Sequence, residues 1–407
     1  MKLSKISKSS ALLGLLLIIV SPLFAQNADK RKVLNANTIT TKISTKATVQ
    51  FFGKMDADMQ VVSTSKPGTG VASSRNRLAT NASRIGARGS IDLGNEVQAI
   101  WQVASRVNLS GAETWSGGGL FTLWGNTRVG IKGNFGTMFL GVWDTPFRQA
   151  FDKVDLFDNS HIASPMGLLG SIGNCVGGLV TMPLVAQGFP PAVANVNIAS
   201  TGFHRRQKSS VQYWSPMYQN MQIKLAYSSD DPVNKTSAAN PALYSFSIAY
   251  DHQPLYLAIA YELHQDLKVV SGSNVAGTDK GLRLISAYNI GTGKVGLVYE
   301  LLSYSMPNMS STSRGLLSLS GSYRLGNNSL GVVYTYAGEL SGSTQTGANQ
   351  LSLRYDYFIS EVVQLYGQYT NIQNRANGTY NFGDGLYIAT ASGARISGFG
   401  MGMAYTF

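Results

Sequence analysis

Lys54, Arg84, Arg88, Arg106 and Arg128 fall at the polar positions of stretches that alternate apolar and polar residues. Lys132, Lys224, Arg283, Arg324 and Arg354 do the same elsewhere in the chain. A row of fixed cations facing water makes and breaks no bonds. It sets a potential that attracts anions wherever the water-filled space is narrow. The same faces carry six acids, Asp56, Asp58, Asp92, Glu262, Glu300 and Asp356, against these ten bases. A mild preference for anions is the expectation.

Covalent chemistry has no comparable constellation. The four histidines are dispersed: His161 and His204 lie in one long polar connection, His252 in a short turn, and His264 near a strand end. No Gly-x-Ser-x-Gly elbow occurs to present a nucleophile. One cysteine and scattered histidines offer no zinc spacing, so neither a metal nor a cofactor is expected, and an enzyme is disfavoured. Cys175 cannot form an internal disulfide. The formal charge of +12 includes three lysines in residues 1–25, which hold no acid, leaving +9 on the remainder. The Lys and Arg residues are spread along strands rather than clustered, so nucleic acid is not an expected partner.

The elements that carry these charges read as strands. From Ala47 to Val62, Val49, Phe51, Gly53, Met55, Ala57, Met59 and Val61 share one face, and Thr48, Gln50, Phe52, Lys54, Asp56, Asp58 and Gln60 the other. The pattern recurs. Leu255, Leu257, Ile259, Tyr261 and Leu263 oppose Glu262 and His264, and Leu351, Leu353, Tyr355 and Tyr357 oppose Arg354 and Asp356. Charges keep to one parity in the middle of strands, as lipid on one side and water on the other would demand: a charge facing lipid costs about 2–4 kcal/mol at the midplane. The final stretch alternates Phe399, Met401, Met403, Tyr405 and Phe407, the apolar face of a closing barrel strand. Outward tyrosines, including Tyr288, Tyr323, Tyr334, Tyr355 and Tyr405, suit interfacial girdles.

Breaks in the pattern alternate between short and long. Short turns are expected at 93–95, 134–136, 216–220, 252–254, 291–293, 326–328 and near Ser360. Long connections are expected at 63–82, 109–119, 144–207, 230–241, 266–278, 306–313, 339–347 and 373–394. Together these join sixteen strands, a size that leaves a water-filled lumen. The fold class expected is all-β: a sixteen-stranded antiparallel transmembrane β-barrel over 47–407. The connection 144–207 is the longest and moderately apolar (Phe147, Phe151, Leu156, Phe157, Met166, Leu168, Leu169), so it should pack on the barrel wall. Residues 1–25 read as a signal peptide, with Lys2, Lys5 and Lys8 before the apolar run Ala11–Val20 and Ala25 before the cut. Residues 26–46 read as a polar tail.

Several blocks resemble the Gram-negative general diffusion porins, especially the betaproteobacterial type. These are Val49-Gln-Phe-Phe-Gly-Lys-Met-Asp-Ala, the stretch from Ser83-Arg-Ile-Gly-Ala-Arg-Gly to Ile100-Trp-Gln, Val129-Gly-Ile-Lys-Gly-Asn-Phe-Gly-Thr-Met-Phe-Leu-Gly, and Ser209-Ser-Val-Gln-Tyr-Trp-Ser-Pro. The resemblance implies a homotrimer in the outer membrane, among lipid and lipopolysaccharide, through which small hydrophilic solutes and ions diffuse passively. It further implies a third external loop, here 144–207, folded into the pore. Acids on that loop, for which Asp152, Asp155 and Asp158 are the candidates, would face a basic wall of Lys54, Arg84, Arg88, Arg106 and Arg128. Opposed charges across a constriction sort solutes by charge and dipole. Two departures stand out: the insertion 26–46, and Leu140-Gly-Val where the family has Leu-Gly-Arg. The lengthened loop also admits a solute-specific channel, for an oligosaccharide or an organic anion, and a barrel with a purely structural or adhesive role remains a third reading.

Overall fold

The computed structural model describes residues 47–68, 70, 72–110, 120–122, 125–157, 160–171, 175–176, 179–180, 202–229, 240–269, 276–305, 311–382 and 391–407. The expected signal peptide, the polar tail and Asp158 lie outside the described residues. Eighteen strand segments form one antiparallel sheet. Two strands run in two parts each, so the barrel has sixteen. These are β1 (Ala47–Thr64), β2 (Ser74–Thr80 and Arg84–Gly94), β3 (Val97–Val107), β4 (Phe121–Thr122 and Thr127–Gly133), β5 (Gly136–Asp144), β6 (Arg206–Trp214), β7 (Met221–Ser228) and β8 (Ala242–His252). They continue as β9 (Leu255–Val269), β10 (Ala276–Ile290), β11 (Gly293–Ser305), β12 (Thr312–Leu325), β13 (Asn328–Ala337), β14 (Ala348–Phe358), β15 (Val363–Asn374) and β16 (Arg395–Thr406).

Each strand pairs with the next, and β16 closes on β1 in a register from Lys54↔Thr406 to Thr64↔Ile396. Closure leaves no sheet edge, the condition for β-structure in lipid. The last pairing is a reciprocal one: Gly53 N donates to the Phe407 carbonyl at 2.8 Å, and Phe407 N donates back at 3.0 Å. Gly53 leaves room for the Phe407 ring, which would lie 2.4 Å from a Cβ at this position.

The alternation places side chains as the sequence implies. On β9, Leu257, Ile259 and Tyr261 are 42%, 48% and 39% exposed, while Ala258, Ala260 and Glu262 are 4%, 0% and 0% exposed. Exposed apolar residues on a closed barrel are the lipid-facing set, and the polar parity turns inward. Tyr288, Tyr323, Tyr334, Tyr355 and Tyr405 are all in the exposed set.

The seven short turns fall where expected, but two long connections are shorter than expected. Ser74–Thr80 is strand and pairs with 57–63 of β1, within the expected loop 63–82. β9 and β10 reach Val269 and Ala276, within the expected loop 266–278. Above the lipid both faces of a strand meet water, so the period-two signal fades while backbone pairing continues.

The described part of the connection after β5 packs on the inward parity of the wall. It begins with a short helix, α1 (Pro146–Gln149), capped by Thr145, whose hydroxyl accepts from Arg148 N. Phe147 N donates to Ser245 Oγ on β8, and Tyr256 Oη on β9 donates to the Ala150 carbonyl. Gly170 N donates to Glu300 Oε2 on β11, Gln350 Nε2 on β14 to the Ser164 carbonyl, and Ser160 Oγ to Gln368 Oε1 on β15. Phe147, Phe151, Phe157, Leu168 and Leu169, expected to pack on the wall, are buried. The wall meets them with small residues. A Cβ at Gly331 would lie 2.8 Å from the Phe157 ring, and one at Gly281 2.8 Å from Phe203.

Candidate functional site

On the β1–β6 side of the barrel the wall and the connection enclose a cavity of about 350 Å³. Arg84, Arg106, Arg148 and Arg206 line it together with Asp144, Asp152 and Asp155. The local backbone explains how each arrives. β2 is interrupted at Asn81–Ser83, where Ala82 adopts a left-handed φ of 44°. Ser83 Oγ accepts from Asp56 N at 2.7 Å and donates to the Asp56 carbonyl at 2.8 Å, pinning the break to β1. Arg84 follows directly and anchors one Nη on the Ala82 carbonyl at 3.3 Å. Arg106 stands opposite Arg84 on β3, and Lys54 stands opposite Arg84 on β1. Like charges directly opposed across strands are destabilising, so stability alone does not account for this row.

Asp144, at the end of β5, organises the near side. Its carboxylate lies 3.3 Å from Arg148 Nη1 and 3.2 Å from Arg206 Nε, and accepts from Asn126 Nδ2 at 2.8 Å. Gln149 of α1 donates to the Asp144 carbonyl and accepts from Lys224 Nζ at 2.8 Å. The Asp152 carboxyl opens onto the cavity. Burial, followed by the neighbouring Asp144 charge, raises its pKa to about 7. The acids opposite the arginines are therefore one paired aspartate, one that titrates near neutrality, and Asp155.

The expected wall residues do not all meet in one place. Arg84 and Arg106 line this cavity with Asp152 and Asp155. Lys54 pairs with Asp56 at 2.8 Å and lines a separate cavity of about 260 Å³ with Phe157, Arg354 and Asp356. Arg88 donates to Gln50 Oε1 at 2.9 Å. Arg128 lies against the rings of Phe139, Trp143 and Trp214. Parity alone missed Asp144, Arg148 and Arg206, because they sit where the strand pattern stops; the basic and acidic residues bracketing the long connection were their only signal.

Arg283 and Glu300, read from parity as wall lining, lie beneath the connection rather than in open lumen. Arg283 Nε donates to Glu300 Oε1 at 2.6 Å, and its Nη1 donates to the Phe147 carbonyl at 2.9 Å. Nη2 lies 2.9 Å from His204 Nε2. Burial, and then the Arg283 charge, hold the His204 imidazole well below its usual pKa, so it is neutral and accepts this bond.

The model of the Gram-negative porin family matches residues 19–377. The chain belongs to the Gram-negative porin family. It is similar to the major outer membrane protein P.IB of Neisseria meningitidis, 26% identical over 249 residues, a match that covers 58% of this chain and 66% of that protein. To P.IB of Neisseria sicca it is 22% identical, with 73% of this chain and 80% of that protein covered. The P.IA protein of Neisseria meningitidis serogroup C matches at 34% identity over 27% of its length. The solved anion-selective porin from Comamonas acidovorans shares the fold, with a TM-score of 0.73 at 20% identity, covering 89% of this chain and all of that one. OmpT of Vibrio cholerae, solved in a trimer form, has a TM-score of 0.61 at 16% identity, covering 89% of this chain and 99% of that one. This porin is thus an outer-membrane β-barrel, and its family is one of channels rather than enzymes.

Proposed function

We propose that this porin is a channel for passive diffusion of small hydrophilic solutes and ions across the outer membrane, with a mild preference for anions. The cavity in which Arg84, Arg106, Arg148 and Arg206 face Asp144, Asp152 and Asp155 carries the reading. Four guanidinium groups against three carboxyls, one of them half-protonated near neutrality, leave a positive balance where the lumen is narrow. In this reading 144–207 is the third external loop folded into the lumen. Its described part covers the wall of β8–β15 and in this reading confines passage to the β1–β7 side, with Arg84 and Arg106 as constriction wall and Asp152 and Asp155 as constriction loop. Single-channel recording in a planar bilayer under a salt gradient tests it. A reversal potential of anion-selective sign is expected, and a cation-selective sign refutes the preference.

The working unit in this reading is a homotrimer. All 20 tyrosines lie from Tyr213 onward, so β1–β5 carry none. A wall sector without interfacial tyrosines suits a protein neighbour better than lipid. Openings in threes, and loss of the trimer on native gels for Ala87→Arg on the outward face of β2, are the expected results. Residues 1–25 are proposed as a cleaved signal peptide, testable by the N-terminus of the mature protein.

A further inference from the structure

Several cations inside this barrel are held by carboxylates: Arg148 and Arg206 by Asp144, Lys54 by Asp56, Arg283 by Glu300, Arg354 by Asp356. Arg88, Arg128 and Lys224 are held differently. The Arg128 guanidinium carbon lies 4.4 Å from the Trp143 ring centroid, 4.9 Å from that of Phe139 and 5.2 Å from that of Trp214. Lys224 Nζ lies 4.6 Å from the Trp214 ring, and its hydrogen bond goes to the neutral Gln149 amide. Arg88 lies 5.2 Å from the Phe52 ring and donates to the neutral Gln50 amide. Among the described residues no carboxylate lies within ion-pair distance of these three. The rings brace one another edge to face, with centroids 5.3 Å apart for Phe139–Trp143, 5.1 Å for Phe139–Trp214 and 6.0 Å for Trp143–Trp214. Register places Arg88 and Arg128 on either side of Gln102, in one row across β2, β3 and β4.

A carboxylate and an aromatic face both fix a cation, with different consequences. The carboxylate cancels its charge as seen from the lumen. A ring attracts the cation through its quadrupole and carries no net charge, so the cation's field persists. We propose that Trp143 and Trp214, braced by Phe139, are positioning residues for anion selectivity: they fix Arg128 and Lys224 at the lumen wall without neutralising them. This rests on the reading of the barrel as an anion-preferring channel. It adds that selectivity depends on uncharged residues that do not themselves line the arginine-lined cavity.

The test is the chloride-to-potassium permeability ratio of the purified full-length porin in planar bilayers. Trp143→Leu and Trp214→Leu should each lower the ratio by about twofold with no change in formal charge, by releasing the cation from its ring. Trp143→Phe and Trp214→Phe should restore it. Gln149→Glu leaves the rings in place and puts a carboxylate beside Lys224, and should lower the ratio as Lys224→Gln does. Barrel integrity is read from heat-resistant migration on gels. If Arg128→Gln lowers the ratio while both leucine variants and Gln149→Glu hold the wild-type value, the rings have no positioning role and the inference fails, with the anion-channel reading intact. If the wild type itself prefers cations, the underlying reading fails first.

Discussion

Replacing Arg283 by Ala should release the connection after β5 from the wall while leaving the barrel closed. Arg283 and Glu300 are fully buried, and Arg283 ties together four groups: the Glu300 carboxylate, the Phe147 carbonyl, the His204 imidazole, and the Phe147 ring 4.0 Å from its guanidinium carbon. Removing one partner of a buried pair costs about 3–5 kcal/mol, because the other charge stays buried without compensation. The loss falls on docking rather than on the sheet, since the β10–β11 register from Thr278↔Ser305 to Ile290↔Gly293 is made by backbone. At about 1.4 kcal/mol per tenfold, the docked-to-released ratio drops by roughly a hundredfold to several thousandfold. The assay is limited trypsin cleavage at Arg148 and Lys153, followed beside single-channel conductance. Arg283→Ala should be cleaved faster by that order and conduct more with added noise. Arg283→Met with Glu300→Leu should recover part of the protection, because an apolar pair of similar volume leaves no buried charge, while Gly170 N and the Phe147 carbonyl lose their partners. Wild-type cleavage for Arg283→Ala, or a double variant worse than the single, would refute the argument.

Arg84→Gln with Arg106→Gln should reduce anion preference about twofold or more, read as a shift in reversal potential, because the opposed pair is a main source of positive potential in the cavity. Asp152 holds its proton up to about pH 7, so its carboxyl loses charge as pH falls through that value; anion preference should rise over the same interval, and Asp152→Asn should flatten the response. Gly53→Val should push the Phe407 ring from its seat and slow barrel closure, visible as less heat-resistant protein after refolding, with the same change at Gly367, where an added Cβ meets nothing within 4 Å, as a milder comparison.

Much of the barrel was legible because lipid and water impose a period of two on each strand. The alternation in Ala47–Val62 or Leu255–Leu263 names the outward residues without knowledge of any neighbour, and the spacing of turn residues counts the strands. Where both faces meet water, as at Ser74–Thr80, that pressure vanishes, and the strand read as loop. Parity also assigned Arg84, Arg106, Arg283 and Glu300 to the same inward class. Only tertiary structure separated them. Arg84, just after the Ala82 break, lines a cavity with Asp152, while the connection after β5 buries Arg283 and Glu300 under Phe147 and His204. Which charges oppose one another depends on cross-strand register and on where a loop packs, and both are set by contacts between residues tens to hundreds of positions apart. The identity of each inward residue was therefore local information, but its partner was not. That is why Arg283 proved to belong with Glu300 and Phe147, and Arg128 with three aromatic rings.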